Sequence, residues 1–99
     1  MSNTLAQRCG AEALGTFVMV FAGCGAVAVG SLSVGGVSAV FGLVVACMIF
    51  TTGHISGAHF NPAVTVAFSA GGFLPRREVV PYIAAQIAGS TLAAWAVSL

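Results

Sequence analysis

Residues 53–65 read GHISGAHFNPAVT, and this stretch decides how the chain folds. It sets two histidines, a serine, an asparagine and a proline between long apolar runs. Asn is a favoured N-cap, and Pro is favoured at the first helical position, where its missing N–H costs nothing. Asn61-Pro62-Ala63 therefore reads as a helix start. The apolar run from Ala63 to Ala70 ends at Gly71-Gly72. A helix from Asn61 to Gly71 is only about 16 Å long, roughly half the hydrocarbon thickness of a bilayer.

The bilayer enters through composition. The 99 residues are 59% hydrophobic and only 5% charged, with a mean hydropathy of +1.06. A soluble domain carries about 25% charged residues, so this chain has too little charge to cover a water-facing surface. Asp and Lys are absent, and residues 13–75 carry no formal charge. The sequence predicts an all-α membrane protein with three transmembrane helices, over about 11–29, 37–52 and 79–99, and one re-entrant half helix. The glycine- and serine-rich residues 30–36 form the first loop. Residues 53–72 form the re-entrant loop and half helix. Irregular backbone is tolerated at membrane depth only where it is buried in protein or lines a wet cavity.

Charge predicts orientation. Arg8 precedes the first span and Arg76-Arg77 precede the third, while the 30–36 loop carries no charge. The positive-inside rule places the N-terminus and the Arg76-Arg77 loop in the cytoplasm. A full crossing by residues 53–75 would put both arginines outside, so charge and half length agree. A secretory signal peptide, suggested by Arg8 and Ala26-Val27-Ala28, fits poorly. The uncharged run is too long for an h-region, and Glu12 opens it. Small residues recur at helical spacing, as in Ala85, Gly89 and Ala93, and predict close helix packing.

Several chemistries are excluded or disfavoured. Cys9, Cys24 and Cys47 fit no metal or redox spacing. His54 and His59 are five apart, without a carboxylate close in sequence, so no metal site and no cofactor are expected. No basic patch points to nucleic acid. No Asp completes a nucleophilic triad, and no enzyme activity is expected; a structural role for His59 is favoured. Glu12 is costly within a span unless paired. It either holds the re-entrant backbone or sits at the interface, and Gln86 is a packing polar group.

The odd stretch has a positive chemistry too. The first-turn N–H groups and the macrodipole give the half helix a partly positive terminus near mid-membrane. The carboxamide of Asn61 adds donors there. Before it, Gly57, Ala58, His59 and Phe60 are expected in extended conformation, with carbonyls that have no helical partner. Acceptors leading to donors at a positive helix end suit conduction of water and exclusion of cations.

HISGAHFNPAVT, residues 54–65, closely resembles the first signature of the aquaporin (major intrinsic protein) family, and AEALGTFVMVFAGCG, residues 11–25, resembles its first helix. Within the family the chain looks most like the bacterial water channels of the aquaporin Z type. The resemblance implies that Asn61, Pro62 and Ala63 form one of two pore-centre motifs. It implies that the carbonyls of Gly57, Ala58, His59 and Phe60 line the cytoplasmic half of the path. Phe41 would be the span-two aromatic of the selectivity constriction, favouring water over glycerol, and Glu12 the glutamate that buttresses the loops. A homotetramer in a bacterial inner membrane, passing water and excluding ions and protons, is the further implication.

One departure is large. The family has two such halves in inverted orientation, and only the first is present here, with no second Asn-Pro-Ala. All three arginines fall on one face, which disfavours an inverted second copy. A piece of a longer water channel is therefore expected. The rivals are a facilitator of glycerol or other small neutral solutes, and a non-conducting half-channel that packs with full-length subunits.

Overall fold

A computed structural model describes residues 3–99, and it is all helical: α1 (Leu5–Val29), α2 (Val34–Ser56), α3 (Pro62–Ala70) and α4 (Val79–Ser98), with a short 3-10 turn, Arg76–Glu78, leading into α4. Three helical segments, Leu5–Val29, Val34–Ser56 and Arg76–Ser98, are long and apolar enough to cross a membrane. α1 lies at the centre, packed against both α2 and α4, while α3 packs on α4.

Local chemistry sets the helix ends, and it moves three of them outward from the expected positions. α1 begins at Leu5 rather than near residue 11. Thr4 and Gln7 form a reciprocal capping box that satisfies two backbone N–H groups. Arg8 lies inside the helix. α2 begins at Val34 because Ser33 accepts from the Gly36 N–H at 3.0 Å. It continues to Ser56, so residues 53–56 are helix and not loop. Gly57, with φ of 88°, ends it in the left-handed region. The loop that precedes the half helix is correspondingly short, from Gly57 to Asn61.

α3 is nine residues long, about 14 Å at 1.5 Å per residue. Its C-terminus closes in a Schellman arrangement, in which the Phe73 N–H reaches Phe68 O at 2.8 Å and the Gly72 N–H reaches Ser69 O at 3.1 Å. Gly72 takes the positive φ of 85° that this motif requires.

The direction of the chain follows from two cross-links. Arg8, near the start of α1, forks onto both carboxylate oxygens of Glu78, just before α4 (Nη2 to Oε2 2.9 Å). Ser56, at the end of α2, bonds Glu12 on α1, and its carbonyl accepts from Tyr82 on α4. The starts of α1 and α4 and the end of α2 thus lie at one end of the bundle. The segment between α2 and α4 leaves that end and returns to it.

Burial is inverted relative to a water-soluble protein. The interior holds Glu12, Thr16, Thr52, Ser56, His59, Thr65 and Gln86 among small residues, while Phe50, Val80, Leu43 and Trp95 face outward. That distribution suits a lipid surround, where large apolar side chains cost nothing outside and polar groups must pair inside. Gly89 lets α4 meet α1 closely: a Cβ there would sit 2.3 Å from the Ala13 carbonyl oxygen. Together, length, apolarity and inverted burial define a multi-pass membrane protein.

Candidate functional site

Glu12 is wholly buried, and four donors converge on it. Oε2 accepts from the Ser56 hydroxyl at 2.6 Å and the His59 N–H at 3.0 Å. Oε1 accepts from the Phe60 N–H at 2.8 Å and from Gln86 Nε2 at 2.9 Å. A carboxylate this deep would be prohibitive alone; four hydrogen bonds offset its lost hydration. The interface reading of Glu12 is thereby set aside.

The loop backbone is shaped for this contact. Gly57, Ala58 and Phe60 all have positive φ, at 88°, 55° and 56°. The expected extended conformation is therefore corrected. In an extended strand, successive N–H groups point to opposite sides; here the left-handed residues turn two successive N–H groups onto one carboxylate, as in anion-binding nests. Non-glycine residues adopt this region only where the surroundings hold them, and the Glu12 bonds do so. Ala58 N–H joins the same side through Ser56 Oγ at 3.1 Å.

A consequence follows for the carbonyls. The chain has no cis peptide bonds among the described residues, and in a trans peptide the C=O opposes the N–H of the same unit. The N–H groups of residues 58, 59 and 60 point toward Ser56 and Glu12. The carbonyls of Gly57, Ala58 and His59 accordingly point away, together. Among the described residues no donor reaches them. Gly57 is exposed and Ala58 half-buried, whereas His59 and Phe60 are buried.

Asn61 caps α3 through its Oδ1, which accepts from the Ala63 N–H at 2.7 Å. That bond fixes the carboxamide orientation and leaves the amide N–H2 without a partner among the described residues. Asn61, Pro62 and Ala63 are all exposed. Phe41 is not part of this cluster. Its ring covers Gly23, where a Cβ would come within 2.2 Å. Gly23 lies eleven residues beyond Glu12 on α1, about 16 Å along the axis.

The remaining polar groups complete a network that sequence reasoning only partly anticipated. Thr65 Oγ1 lies 2.9 Å from both Gln86 Nε2 and His59 Nδ1, and Tyr82 donates to the Ser56 carbonyl at 2.8 Å. The His59 ring stacks on Phe68 at 4.6 Å. Tyr82 and Gln86 were not expected at the loop. Their i, i+4 spacing in an apolar helix was the available signal, because polar groups in a span seek a common partner. Groups of three or more metal-ligating side chains are absent among the described residues.

Helices, inverted burial and a glutamate-held loop before a half helix define a membrane protein of re-entrant-loop type, and the chain matches the Major intrinsic protein family over residues 1–99. It belongs to that family. A "Probable aquaporin NIP-type" of Nicotiana alata is 50% identical over 97 residues, covering 94% of this chain and 36% of the relative. "Aquaporin Z" of Photorhabdus laumondii is 53% identical over 94 residues, covering 89% of this chain and 41% of the relative. The chain thus spans about two fifths or less of the length of these curated relatives.

Proposed function

We propose that the chain supplies one half of the wall of a passive water channel. The observation that carries this reading is the set of three consecutive loop carbonyls, of Gly57, Ala58 and His59, turned away from Glu12 and without a donor among the described residues. In chain order they are followed by the Asn61 amide, at the N-terminus of α3. Acceptors in file keep water hydrogen-bonded as it moves. Donors and a positive helix end at the centre reorient it and disfavour cations. Pro62 and Ala63 keep that helix end narrow and leave its amides accessible. Phe41, farther along the bundle, is assigned to the outer constriction.

The arginine distribution supports an orientation with Arg8 and Arg76-Arg77 on the cytoplasmic side. The similarity to aquaporin Z supports a bacterial inner membrane, and the plant relative at comparable identity makes a plant membrane the alternative. Assembly into a homotetramer rests on the resemblance to the family alone. Neither a cofactor nor a reaction is required.

The test is osmotic shrinkage of proteoliposomes carrying the full gene product. Faster shrinkage than in empty vesicles, with a low activation energy, is the expected result. An unchanged rate refutes water conduction. Glycerol entry as fast as water would move the assignment to a neutral-solute facilitator.

A further inference from the structure

Thr51 and Thr52 donate their hydroxyl protons to carbonyls four residues back, each at 2.7 Å, the usual outlet for a helical threonine. Thr65 makes no such bond among the described residues. Its Oγ1 has two polar neighbours, Gln86 Nε2 and His59 Nδ1. The amide nitrogen of Gln86 also reaches Glu12 Oε1. A carboxylate that already accepts three other hydrogen bonds requires a donor at that position, so Glu12 fixes which way the Gln86 amide faces. Both amide protons are then committed, one to Glu12 and one to Thr65. Thr65 Oγ1 accepts from Gln86, and its single proton has one acceptor within reach, Nδ1 of His59.

We infer that Glu12, acting through Gln86 and Thr65, fixes His59 as the neutral Nε2–H tautomer, so that the ring presents a donor and no charge behind the re-entrant loop. A neutral imidazole has one donor and one acceptor nitrogen; with Nδ1 accepting, the proton is on Nε2. The Nε2 edge lies over Gly57, 3.2 Å from where a Cβ would stand. His59 also lines a cavity of about 270 Å³, together with Arg8, Ser56, Phe73, Glu78 and Tyr82. An imidazolium would turn Nδ1–H toward Thr65 and leave the threonine proton without an acceptor, a buried polar loss.

The charged and titratable groups facing His59 are few. Glu12 on α1 is committed to four donors, Arg8 and Glu78 are paired with each other, and the Tyr82 ring on α4 stands 5.1 Å away. Thr65 is therefore a positioning residue for His59. Its bearing on permeation, which is to keep a positive charge away from the water file, rests on the channel reading above. The tautomer itself does not.

Nitrogen NMR of the full gene product in lipid, with 15N-labelled histidine and His59→Gln for assignment, reads the tautomer directly. Near neutral pH the expected pattern is an unprotonated Nδ1 and a protonated Nε2, persisting when pH falls about one unit below an ordinary histidine pKa. An unprotonated Nε2, or an imidazolium near neutral pH, overturns the inference. Thr65→Ser should keep the pattern, and Thr65→Val should give mixed tautomers that titrate. Unchanged shifts in Thr65→Val would equally overturn it, and the unsubstituted protein decides the matter if that variant does not fold. A fixed tautomer in vesicles no faster than empty ones sinks the transport reading alone; fast vesicles with the wrong tautomer sink this inference alone.

Discussion

The backbone N–H of Phe60 donates to Glu12 Oε1 at 2.8 Å across a sequence separation of 48 residues. Together with the His59 N–H on Oε2, it ties the loop to the first helix before the half helix begins. One carboxylate therefore sets the conformation of backbone on a different element, and the carbonyls on the far side of that backbone are free because the near side is occupied. The proposed water path is the reverse face of a buried ion's hydrogen-bond shell.

Glu12→Gln tests that dependence. Glutamine places an NH2 at one of two positions that each receive a backbone N–H and a hydroxyl or amide donor, so at least one donor faces another. Hydrogen bonds to a charged group contribute about 1.5–3 kcal/mol each. The expected loss is about 3 kcal/mol or more, read as a lower unfolding midpoint in detergent, with protease access to residues 57–60. A variant as stable as the parent would mean that the carboxylate charge does not hold the loop.

Gly89→Ala should separate α1 from α4. The added Cβ would meet the Ala13 carbonyl oxygen at 2.3 Å, and backbone cannot rotate away as a side chain can. Overpacking of this kind costs roughly 1–3 kcal/mol. Gly10→Ala is the control, since a Cβ there meets nothing within 4 Å, and it should be neutral or gain about 0.5–1 kcal/mol in helix propensity. Thermal melts of the two variants should move apart; equal melts would contradict the close crossing.

Arg8 and Glu78 should couple in a double-mutant cycle. The guanidinium is partly exposed, so screening limits the pair to about 1 kcal/mol despite its forked geometry. Arg8→Ala and Glu78→Ala should each destabilise, and the double variant should lose less than their sum. Exchanging the two residues should restore part of the loss. Full additivity would leave the ion pair without an energetic role in joining α1 to α4.

The outline of the fold was legible because it rests on local and compositional signals. The charge-free run, the Asn61-Pro62 start and the Gly71-Gly72 stop each act within a few residues, and they located three spans and a half helix. Helix ends were less legible. Arg8 reads as preceding the first span, yet it lies inside α1 with its partner Glu78 seventy residues away, and Gly53 reads as loop although Gly57 does the capping. Within the site, Asn61 and Glu12 announced themselves as polar groups in apolar surroundings. The left-handed turns at Ala58 and Phe60 did not, because alanine and phenylalanine have no preference for positive φ. Only a distant carboxylate makes that backbone favourable, and pairings over such separations leave no local trace. Thr65 was hidden for the same reason, its role depending on Gln86.

Asn61→Asp separates the cap from the pore. Aspartate is as good an N-cap as asparagine, and its carboxylate is favoured by the helix macrodipole. The Ala63 N–H keeps its acceptor, so α3 should form unchanged and stability should hold or rise slightly. What changes is the rest of the side chain: the N–H2 of the carboxamide disappears and a negative charge replaces it. A water molecule arriving there loses its donor, and a cation gains a counter-charge at the point proposed to repel it. In proteoliposomes of the full gene product, water flux should fall while cation leak rises. If thermal stability is retained and the vesicles pass water and exclude cations as before, Asn61 is a helix cap and nothing more, and the donor role assigned to its amide is wrong.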